Sequence, residues 1–354
     1  MTYMRQDTLK KEKDTIGIIV LNYNNANDTI QCIDSIMAYN TVDIRIIVVD
    51  NGSPLPQTID DLGHYFAQKF QTQYCKIYEA DASQITHLPT LTYLVSPTND
   101  GYARGNNKGL ALAFQDSCIN KILILNNDVL FVEDIIPILS QKIDAVKDAA
   151  IISPILYKKG LREIDYTCAR KNHYDWEIIF NFLILFRDVF GIRTKLEKSR
   201  FILLNHPEFM GQELVNIELP SGSCMMMNKR LLMEMKGFDP NTFLYFEENI
   251  LYKKIQSISL KNYLLTNCKC IHLGASTIGV KPNYIVIKSM LYSAIYYLRA
   301  YCELSLFKRL ALWAAFAAFQ PILLYHRIKE STNILNRNII RMSIWYIVSI
   351  LLAE

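Results

Sequence analysis

The chain has 354 residues, 51% of them hydrophobic, and 38 Lys/Arg against 34 Asp/Glu give a formal charge of +4. Its mean hydropathy of +0.09 is high for an enzyme surrounded only by water, and the length suits one large α/β domain with an appendage or two ordinary domains. The charge is uneven: residues 285–354 hold eight Lys/Arg and three acids, leaving the rest near neutral, so a membrane surface is the expected partner and nucleic acid is not.

The eight cysteines are scattered, and only Cys268 and Cys270 are near neighbours. On a strand those two would point to opposite faces. Neither a zinc spacing nor a compact disulfide framework is present, so reduced thiols in a cytosolic protein are expected. Residues Met1 to Asp14 are polar and lack the apolar core of a signal peptide, so the globular part is expected to stay in the cytoplasm.

Ile16 to Leu21 is a short apolar run that ends at Asn22. Asn27 or Asp28 can then cap a helix whose Ile30, Ile33, Ile36 and Met37 fall at helical spacing. Ile44 to Val49 is the next strand, ending at Asp50-Asn-Gly-Ser53, and Tyr65 to Pro89 is an irregular polar stretch. Leu91 to Val95 reads as a third strand ending at Asn99-Asp-Gly101, and Ala103 to Phe114 as a helix. Ile122 to Asn126 is the pattern of a strand buried on both faces. It ends at Asn126-Asn127-Asp128, with Glu133 and Asp134 placed to open a helix. Strands alternating with helices imply a parallel sheet.

Each polar tip taken alone is ordinary turn chemistry. Four of them, at Asn22, Asp50, Asn99 and Asn126 to Asp128, make a crevice if they meet at one sheet edge. Neither GxGxxG after the first strand nor GxxxxGK[ST] is present, which disfavours a dinucleotide site or a P-loop. Gly101, Gly105 and Gly109 can allow a close backbone approach to a ligand. Arg104 beside them is a phosphate contact or a solvated charge.

Ala149 to Leu156 is a further strand, after which the pattern breaks. Trp176 to Phe190 is apolar and aromatic, followed by a basic run from Arg193 to Arg200; it reads as an acceptor-site flap, a membrane-touching helix or a buried helix. Order returns at Pro220-Ser-Gly-Ser-Cys224, Gly237-Phe-Asp239 and Tyr245-Phe-Glu-Glu248. The paired Glu247 and Glu248 are either favourable charge at a helix N-terminus or carboxylates in a partly apolar pocket that raises their basicity. Tyr263 to Thr266 and Lys269 to Ile271 look like short strands before His272.

The ordered set Val20–Asn24, Val48–Ser53, Asn99–Gly109, Leu125–Asp128, Pro220–Cys224, Gly237–Asp239, Tyr245–Glu248 and His272–Ser276 resembles the family 2 glycosyltransferases of GT-A fold. It is most similar to the rhamnosyltransferase-like branch that builds bacterial surface polysaccharides. The resemblance runs in order over about residues 15–280, with an insertion near 160–215, and implies an α/β nucleotide-diphospho-sugar transferase fold with a Rossmann-like mixed sheet. It also implies transfer of a sugar from a dTDP- or UDP-sugar to a hydroxyl of a glycan or lipid-linked acceptor, with inversion. Asp50 would hold the base or ribose, Asn22 and Asn99 would line that pocket, and the loop from Gly101 to Asn106 with Arg104 would approach the donor.

Asn126-Asn127-Asp128 stands where the family has an Asp-x-Asp metal motif, the first carboxylate here being an amide. Asp128 would bind Mg²⁺ or Mn²⁺ bridging the diphosphate, with His272 as a second ligand or a packing residue, and Asn127 or Asn126 would face the sugar. Glu248 would be the general base, and Glu247 and Asp239 would contact the acceptor. A catalytically degraded, nucleotide-sugar-binding scaffold is the alternative that the weakened motif favours. A nucleotidyltransferase would need a Gly-rich basic loop where Asn22 to Asn25 stands.

Residues 281–354 lie outside the core resemblance and are expected to be helical. Leu310 to Tyr325 is interrupted at Gln320-Pro321, and Met342 to Ala353 is shorter still. Both fall below the roughly 20 residues of a comfortable span. With Lys308, Arg309, Arg327 and Arg341 flanking them, helices lying on the cytoplasmic face of the cell membrane are expected. Packing on the catalytic domain or a homodimer interface is the competing use.

Overall fold

A computed structural model describes residues 15–183, 192–274 and 284–330. The N-terminal tail, the end of the aromatic run after Leu183, Ala275 and Ser276 of the His272 motif, and the Met342–Ala353 run lie outside these residues.

In chain order the elements begin β1 (Thr15–Asn22), α1 (Ala26–Tyr39), β2 (Ile44–Asn51), α2 (Pro56–Phe70), β3 (Tyr74–Tyr78), β4 (Leu91–Ser96), α3 (Gly101–Gln115) and β5 (Ile119–Asn126). They continue with β6 (Val129–Phe131), α4 (Ile136–Ala145), β7 (Ala149–Lys158), β8 (Ala169–Arg170), α5 (Asp175–Leu183), α6 (Ile192–Ser199) and α7 (Ile202–Asn205). The last are β9 (Leu214–Ile217), β10 (Leu219–Pro220), β11 (Cys224–Asn228), α8 (Lys229–Glu234), α9 (Glu247–Ser257), β12 (Lys261–His272), α10 (Tyr284–Tyr301) and α11 (Leu306–Glu330).

A ten-stranded sheet runs β3-β4-β2-β1-β5-β11-β7-β12-β6, with β9 also on β12. Strands β3, β4, β2, β1 and β5 are mutually parallel, as the strand–helix alternation predicts. Between β5 and β7 sits β11, antiparallel to both, so the sheet is mixed, in line with the expected Rossmann-like class. Alternate residues of β1 serve two cores. Ile16, Ile18 and Val20 join α1, α2 and α4 on one face, and Ile19 joins α3, α8 and α9 on the other.

Three local expectations change. The stretch before Pro89 contains the edge strand β3, whose only buried residue is Ile77; a half-exposed edge carries too little apolar pattern to be seen. The segments around Tyr263 and Lys269 are one strand, β12, with a register shift between Leu265 and Lys269, because a bulge interrupts pairing without ending the strand. The cap of α1 is Asn25, whose side chain accepts from the Asp28 amide at 3.1 Å, in place of Asn27 or Asp28.

Helix α3 begins at Gly101 itself, so the expected donor-approaching loop from Gly101 to Asn106 is helix. Its glycines serve packing. A Cβ on Gly109 would lie 2.6 Å from Ile19 Cγ2, and one on Gly105 would lie 2.7 Å from Leu21 Cδ1. Gly101 has φ +80°, and a Cβ there would lie 2.1 Å from the Phe243 carbonyl oxygen, the same oxygen that accepts the Tyr102 amide at 2.8 Å.

Part of the inserted segment and the C-terminal helices form a third core of Ile178, Ile179, Leu291, Tyr297, Leu312 and Phe319 with their neighbours. Helix α10 is docked through Asp239, which accepts from the hydroxyls of Tyr296 and Tyr301. Helix α11 is continuous over 25 residues through Pro321, against the expected break there. It packs Leu312, Ala315, Phe319 and Leu323 inward, a stripe at helical spacing, so packing outweighs the hydrogen bond lost at Pro321. By length and composition α11 can cross a membrane, although 22% of its most apolar window is buried in the fold. Leu306, Phe307, Leu310 and Trp313 on it are exposed.

Gly101→Ala is expected to cost roughly 3 kcal/mol or more, since it adds a backbone collision to left-handed strain. Gly160→Ala, at φ +92° with nothing within 4 Å, isolates the strain alone at about 1–2 kcal/mol. Urea unfolding midpoints of the two variants measure the difference.

Candidate functional site

Parallel register brings the strand tips to one level. Asn22 pairs with Asp50 across β1 and β2, and Leu21 pairs with Asn126 across β1 and β5. Because β11 is antiparallel, its start at Cys224 lies beside Leu125, so the turn of residues 221–223 stands at the same edge. Strand β12 is parallel to β7 and ends there too, and its pairing with β6 sets His272 opposite Val129, next to Asp128.

The side chains form one connected network. Asn22 donates to Asp50 Oδ2 at 2.7 Å. Ser53 donates to the same carboxylate from its amide at 2.8 Å and its hydroxyl at 2.7 Å. Asp50 is thus fully buried, and its contacts are those of a turn anchor. Asn127 donates inward to Asn22 Oδ1 at 3.3 Å and to Thr29 Oγ1 at 3.0 Å, so it holds the start of α1 and does not face outward to a sugar.

Asp128 is different. Its Oδ1 is buried without a hydrogen-bond partner, and its Oδ2 lies 3.5 Å from His272 Nε2. His272 Nδ1 lies 2.7 Å from Asp165 Oδ2, and Thr167 donates to the other Asp165 oxygen. Burial would lower the His272 pKa, but the carboxylates of Asp128 and Asp165 overcome it and push it up to about 9. Burial would likewise raise Asp165, but hydrogen bonds from His272 and Thr167 hold it down to about 2. Sequence reading misses Asp165: it lies in the irregular insertion, and the return of the chain onto β7, through the Tyr157–Ile164 bridge and the Asp165 amide on the Leu156 carbonyl at 2.9 Å, brings it to His272.

From His272 the network reaches Glu248 through the 221–223 turn. Ser223 Oγ is 3.3 Å from His272 Nε2, and the Ser223 carbonyl accepts the Asn126 amide at 2.9 Å. The Gly222 amide donates to Glu248 Oε1 at 3.1 Å, while the Gly222 carbonyl accepts the Tyr102 hydroxyl at 2.7 Å. A Cβ on Gly222 would lie 2.9 Å from that hydroxyl and 3.0 Å from Glu248 Oε1, so the turn is clasped on both sides.

Glu247 and Glu248 open α9, directly after two residues in left-handed backbone, Tyr245 at φ 72° and Phe246 at φ 69°. Each costs on the order of 1–3 kcal/mol. Ser293 holds this corner by donating to the Leu244 carbonyl at 2.9 Å, and the Phe246 ring lies over Tyr297 and His173. The glutamate pair splits by environment. Glu248 faces a cavity of about 450 Å³ that Tyr245, Phe246, Arg170 and Ser221 also line, with Arg170 Nη2 3.4 Å from its Oε1. Glu247 turns inward, 6% exposed, where burial and then the charge of Glu248 push its pKa up to about 8. Glu247 is therefore not among the cavity residues, contrary to an acceptor contact.

Other expected site residues fall elsewhere. Arg104 is exposed and donates to the Pro240 carbonyl at 2.7 Å, which ties α3 to the 237–241 loop. Asn106 is wholly buried within α3 and donates to the Tyr102 carbonyl at 3.0 Å. Asn99 accepts from Asn51 Nδ2 and from the Gly101 amide, each at 3.0 Å. This gives Asn51, which sequence reading did not single out, the job of joining the β2 tip to the start of α3. Asp239 spends both oxygens on Asn241, Tyr296 and Tyr301, so it is a docking point for α10 and not an acceptor contact.

The orphaned Asp128 oxygen beside an imidazole fits a divalent cation of the Mg²⁺ or Mn²⁺ kind. Among the described residues one further set of ligand-type atoms, on His87, Asp116 and Cys118, lies close together. There the Asp116 oxygens already accept the amides of Leu88 and Cys118, which makes it a loop staple.

The profile described as Glycosyl transferase family 2 matches residues 17–235, while no curated protein sequence matches the chain. Among solved structures, GalNAc-T7 with UDP, GalNAc and Mn²⁺ is 11% identical at a TM-score of 0.53, covering 94% of this chain and 55% of that one. The present chain thus spans about half of its length, and at such identity the likeness speaks for the fold alone. The mannosyltransferase PcManGT from Pyrobaculum calidifontis, in complex with GDP-Man and Mn²⁺, is 13% identical at a TM-score of 0.47, covering 95% and 83%. S. aureus TarS 1–349 is 12% identical at 0.45, covering 91% and 77%.

A carboxyl with a folded-state pKa near 8 binds more protons folded than unfolded between its ordinary value of 4.5 and 8, so it lowers stability as pH rises through that window. Glu247→Gln is therefore expected to gain on the parent between pH 5 and pH 8.5, by a few kcal/mol at most. Thermal melts of both proteins across that range test it; a constant difference in Tm would refute it.

Proposed function

The chain belongs to glycosyl transferase family 2, and from that premise we propose that it is an inverting transferase. It moves a sugar from a nucleotide-diphosphate donor to a hydroxyl of a glycan or lipid-linked acceptor. The observation that carries this reading is the unbroken line of contacts from Asp128 and His272 through the 221–223 turn to Glu248. It joins Asp128, with one oxygen unpartnered, and Glu248, which lines the cavity, through one turn, and this supports a reading in which the two act on the same substrate. Residues 15–280 are the catalytic unit in this reading, and 281–354 its membrane-facing appendage.

Glu248 is the general base. It takes the proton from the acceptor hydroxyl as that oxygen attacks the anomeric carbon from the face opposite the diphosphate. The helix N-terminus and the Gly222 amide hold its carboxylate in place for this step. Asp128 would hold a divalent cation, Mg²⁺ or Mn²⁺, with His272 joining it through Nε2 once that nitrogen loses its proton in exchange for the ion and Nδ1 stays on Asp165; the ion would supply charge neutralisation to the departing diphosphate. Asp165 orients the His272 ring from behind. The nucleotide lies over the tips of β1, β2 and β4, where Asp50, Asn22 and Asn99 shape the floor through their turns.

By the motif resemblance the donor sugar is rhamnose on dTDP or UDP, and the product is a bacterial surface polysaccharide. The exposed Trp313 and Leu310 of α11, with Lys308 and Arg309 close by in sequence, suit attachment to the cytoplasmic face of an anionic membrane.

Turnover of a panel of dTDP-, UDP- and GDP-sugars with Mn²⁺ or Mg²⁺ tests the activity, and NMR of the product's anomeric centre tests inversion. Glu248→Gln is expected to lose on the order of 10²–10⁴ in kcat, with Asp128→Asn losing comparable activity and its metal dependence. Glu248→Gln as active as the parent would remove the base assignment, and a parent that binds these sugars without turning any over would favour the scaffold reading. For the membrane, flotation with vesicles containing anionic lipid should recover the parent. Trp313→Glu should reduce recovery several-fold, and equal recovery would refute attachment through α11.

A further inference from the structure

One wall of the Glu248 cavity is supplied by the insertion, and it carries two arginines, Arg170 and Arg200. Arg170 is thinly satisfied. Its Nη2 reaches Glu248 only at 3.4 Å, and its Nε is buried without a hydrogen-bond partner. Arg200 is fixed firmly, with Nε and Nη2 on the Lys171 carbonyl at 3.1 and 2.9 Å and Nη1 on His173 Nε2. Burial, and then the charge of Arg170, hold the Arg200 guanidinium down to about 10. Two partly buried guanidiniums that repel one another are stable with an anion between them and costly without one. Glu177, Glu197 and Glu218 offset part of that repulsion at Arg200, whereas the contact of Arg170 with Glu248 weakens whenever Glu248 accepts a proton.

We infer that the acceptor is anionic, and that Arg170 and Arg200 read a phosphate or carboxylate group close to the hydroxyl that is glycosylated. This rests on the proposed transferase reading, with Glu248 as base. The donor's own diphosphate is not the anion in question. In a displacement with inversion the leaving group departs from the face opposite the base, and Arg170 touches the base itself. The planar Arg170 guanidinium, with its Nε without a partner, suits the oxygens of either group through paired N–H donors, and Arg200 adds positive charge beside it. Aromatic rings of Phe201, Tyr245 and Phe246 on the same cavity suit the apolar face of a sugar ring. Shared chemistry leaves two sources: the carboxylate of an acidic sugar, or the phosphate that links a saccharide to a lipid carrier.

Calorimetric titration of the full chain, without donor, with octyl glucoside, octyl glucuronide and a short-chain alkyl-phosphate-linked glucose tests this. Binding is read apart from turnover, so failure of the transferase reading shows in the donor panel and failure of this one shows here. At least one anionic probe is expected to bind tenfold or more tighter than the neutral glucoside. Stronger binding of the glucuronide assigns the anion to a sugar carboxylate, and stronger binding of the phosphate-linked glucose assigns it to a carrier. Arg170→Gln should abolish the preference, whereas Arg200→Lys, which keeps the charge, should retain part of it; circular-dichroism melts confirm that both variants are folded. Equal binding of neutral and anionic probes by the parent, or an undiminished preference in folded Arg170→Gln, would overturn the inference.

Discussion

The turn of residues 221–223 is the joint on which the arrangement depends, and it exists because one strand runs backwards. Inserted antiparallel between β5 and β7, β11 begins at the sheet edge where its parallel neighbours end. A parallel strand in that slot would begin at the opposite edge, and nothing would link Asp128 to Glu248. With the turn in place, three elements from distant parts of the chain meet on two residues: β5 through the Asn126 amide, β12 through His272, and α9 through Glu248. Tyr102 of α3 closes the clasp from the remaining side. Glycine at 222 follows directly, since a side chain there would press on Tyr102 and Glu248 together.

Around this joint, acids are made to differ by what surrounds them. Asp50 has its oxygens filled by Asn22 and Ser53, so its charge is spent on shape. Asp128 keeps one oxygen unfilled and shares an imidazole with Asp165, which is itself held ionised by Thr167 and His272. Glu247 is driven toward its neutral form by burial, which spares its neighbour Glu248 a second full negative charge. One adjacent pair thus yields a proton-holding acid inside and a half-buried carboxyl on the cavity wall, without any difference in side-chain type.

The legible parts of the sequence are those where local pattern and tertiary role coincide. The apolar runs of β1, β2, β4, β5 and β7 are buried on both faces, and periodicity reads them directly. Their polar tips are legible because a parallel sheet gathers strand ends whatever the details. Roles within that edge were less readable: Asp50 and Asn127 turn inward, and no local feature distinguishes an amide that braces a helix from one that faces a ligand. The glycines at 105 and 109 carried the same ambiguity, since close approach to a strand and close approach to a ligand demand the same missing side chain. Asp165 and Arg170 were invisible for another reason. Both lie where no repeat or motif marks the chain, and pairings far away in sequence place them.

That division has a physical basis which also explains where specificity resides. In the proposed reading the donor half rests on the sheet, whose strands fix every tip through register, so short motifs suffice to describe it. The opposite half rests on a separate core in which α5 of the insertion, α10 and α11 pack on one another and touch the catalytic domain through Ile250 and Phe246. Its cavity side carries Ile178, Asn181 and Met290, while the same core also bears the exposed apolar residues of α11; Arg170 and Arg200 stand on the neighbouring part of the insertion, next to Ala169 and Ile202 of the sheet core. A group bound in the cavity and a surface bound by α11 therefore act on one packed unit. In the proposed reading, seating that unit on a membrane also sets the wall against which the acceptor is held. The strained corner at Tyr245 and Phe246 is where this unit meets Glu248. It is fixed from the far side by Ser293 and Tyr297 of α10, so the position of Glu248 depends on helices that lie outside the sheet altogether.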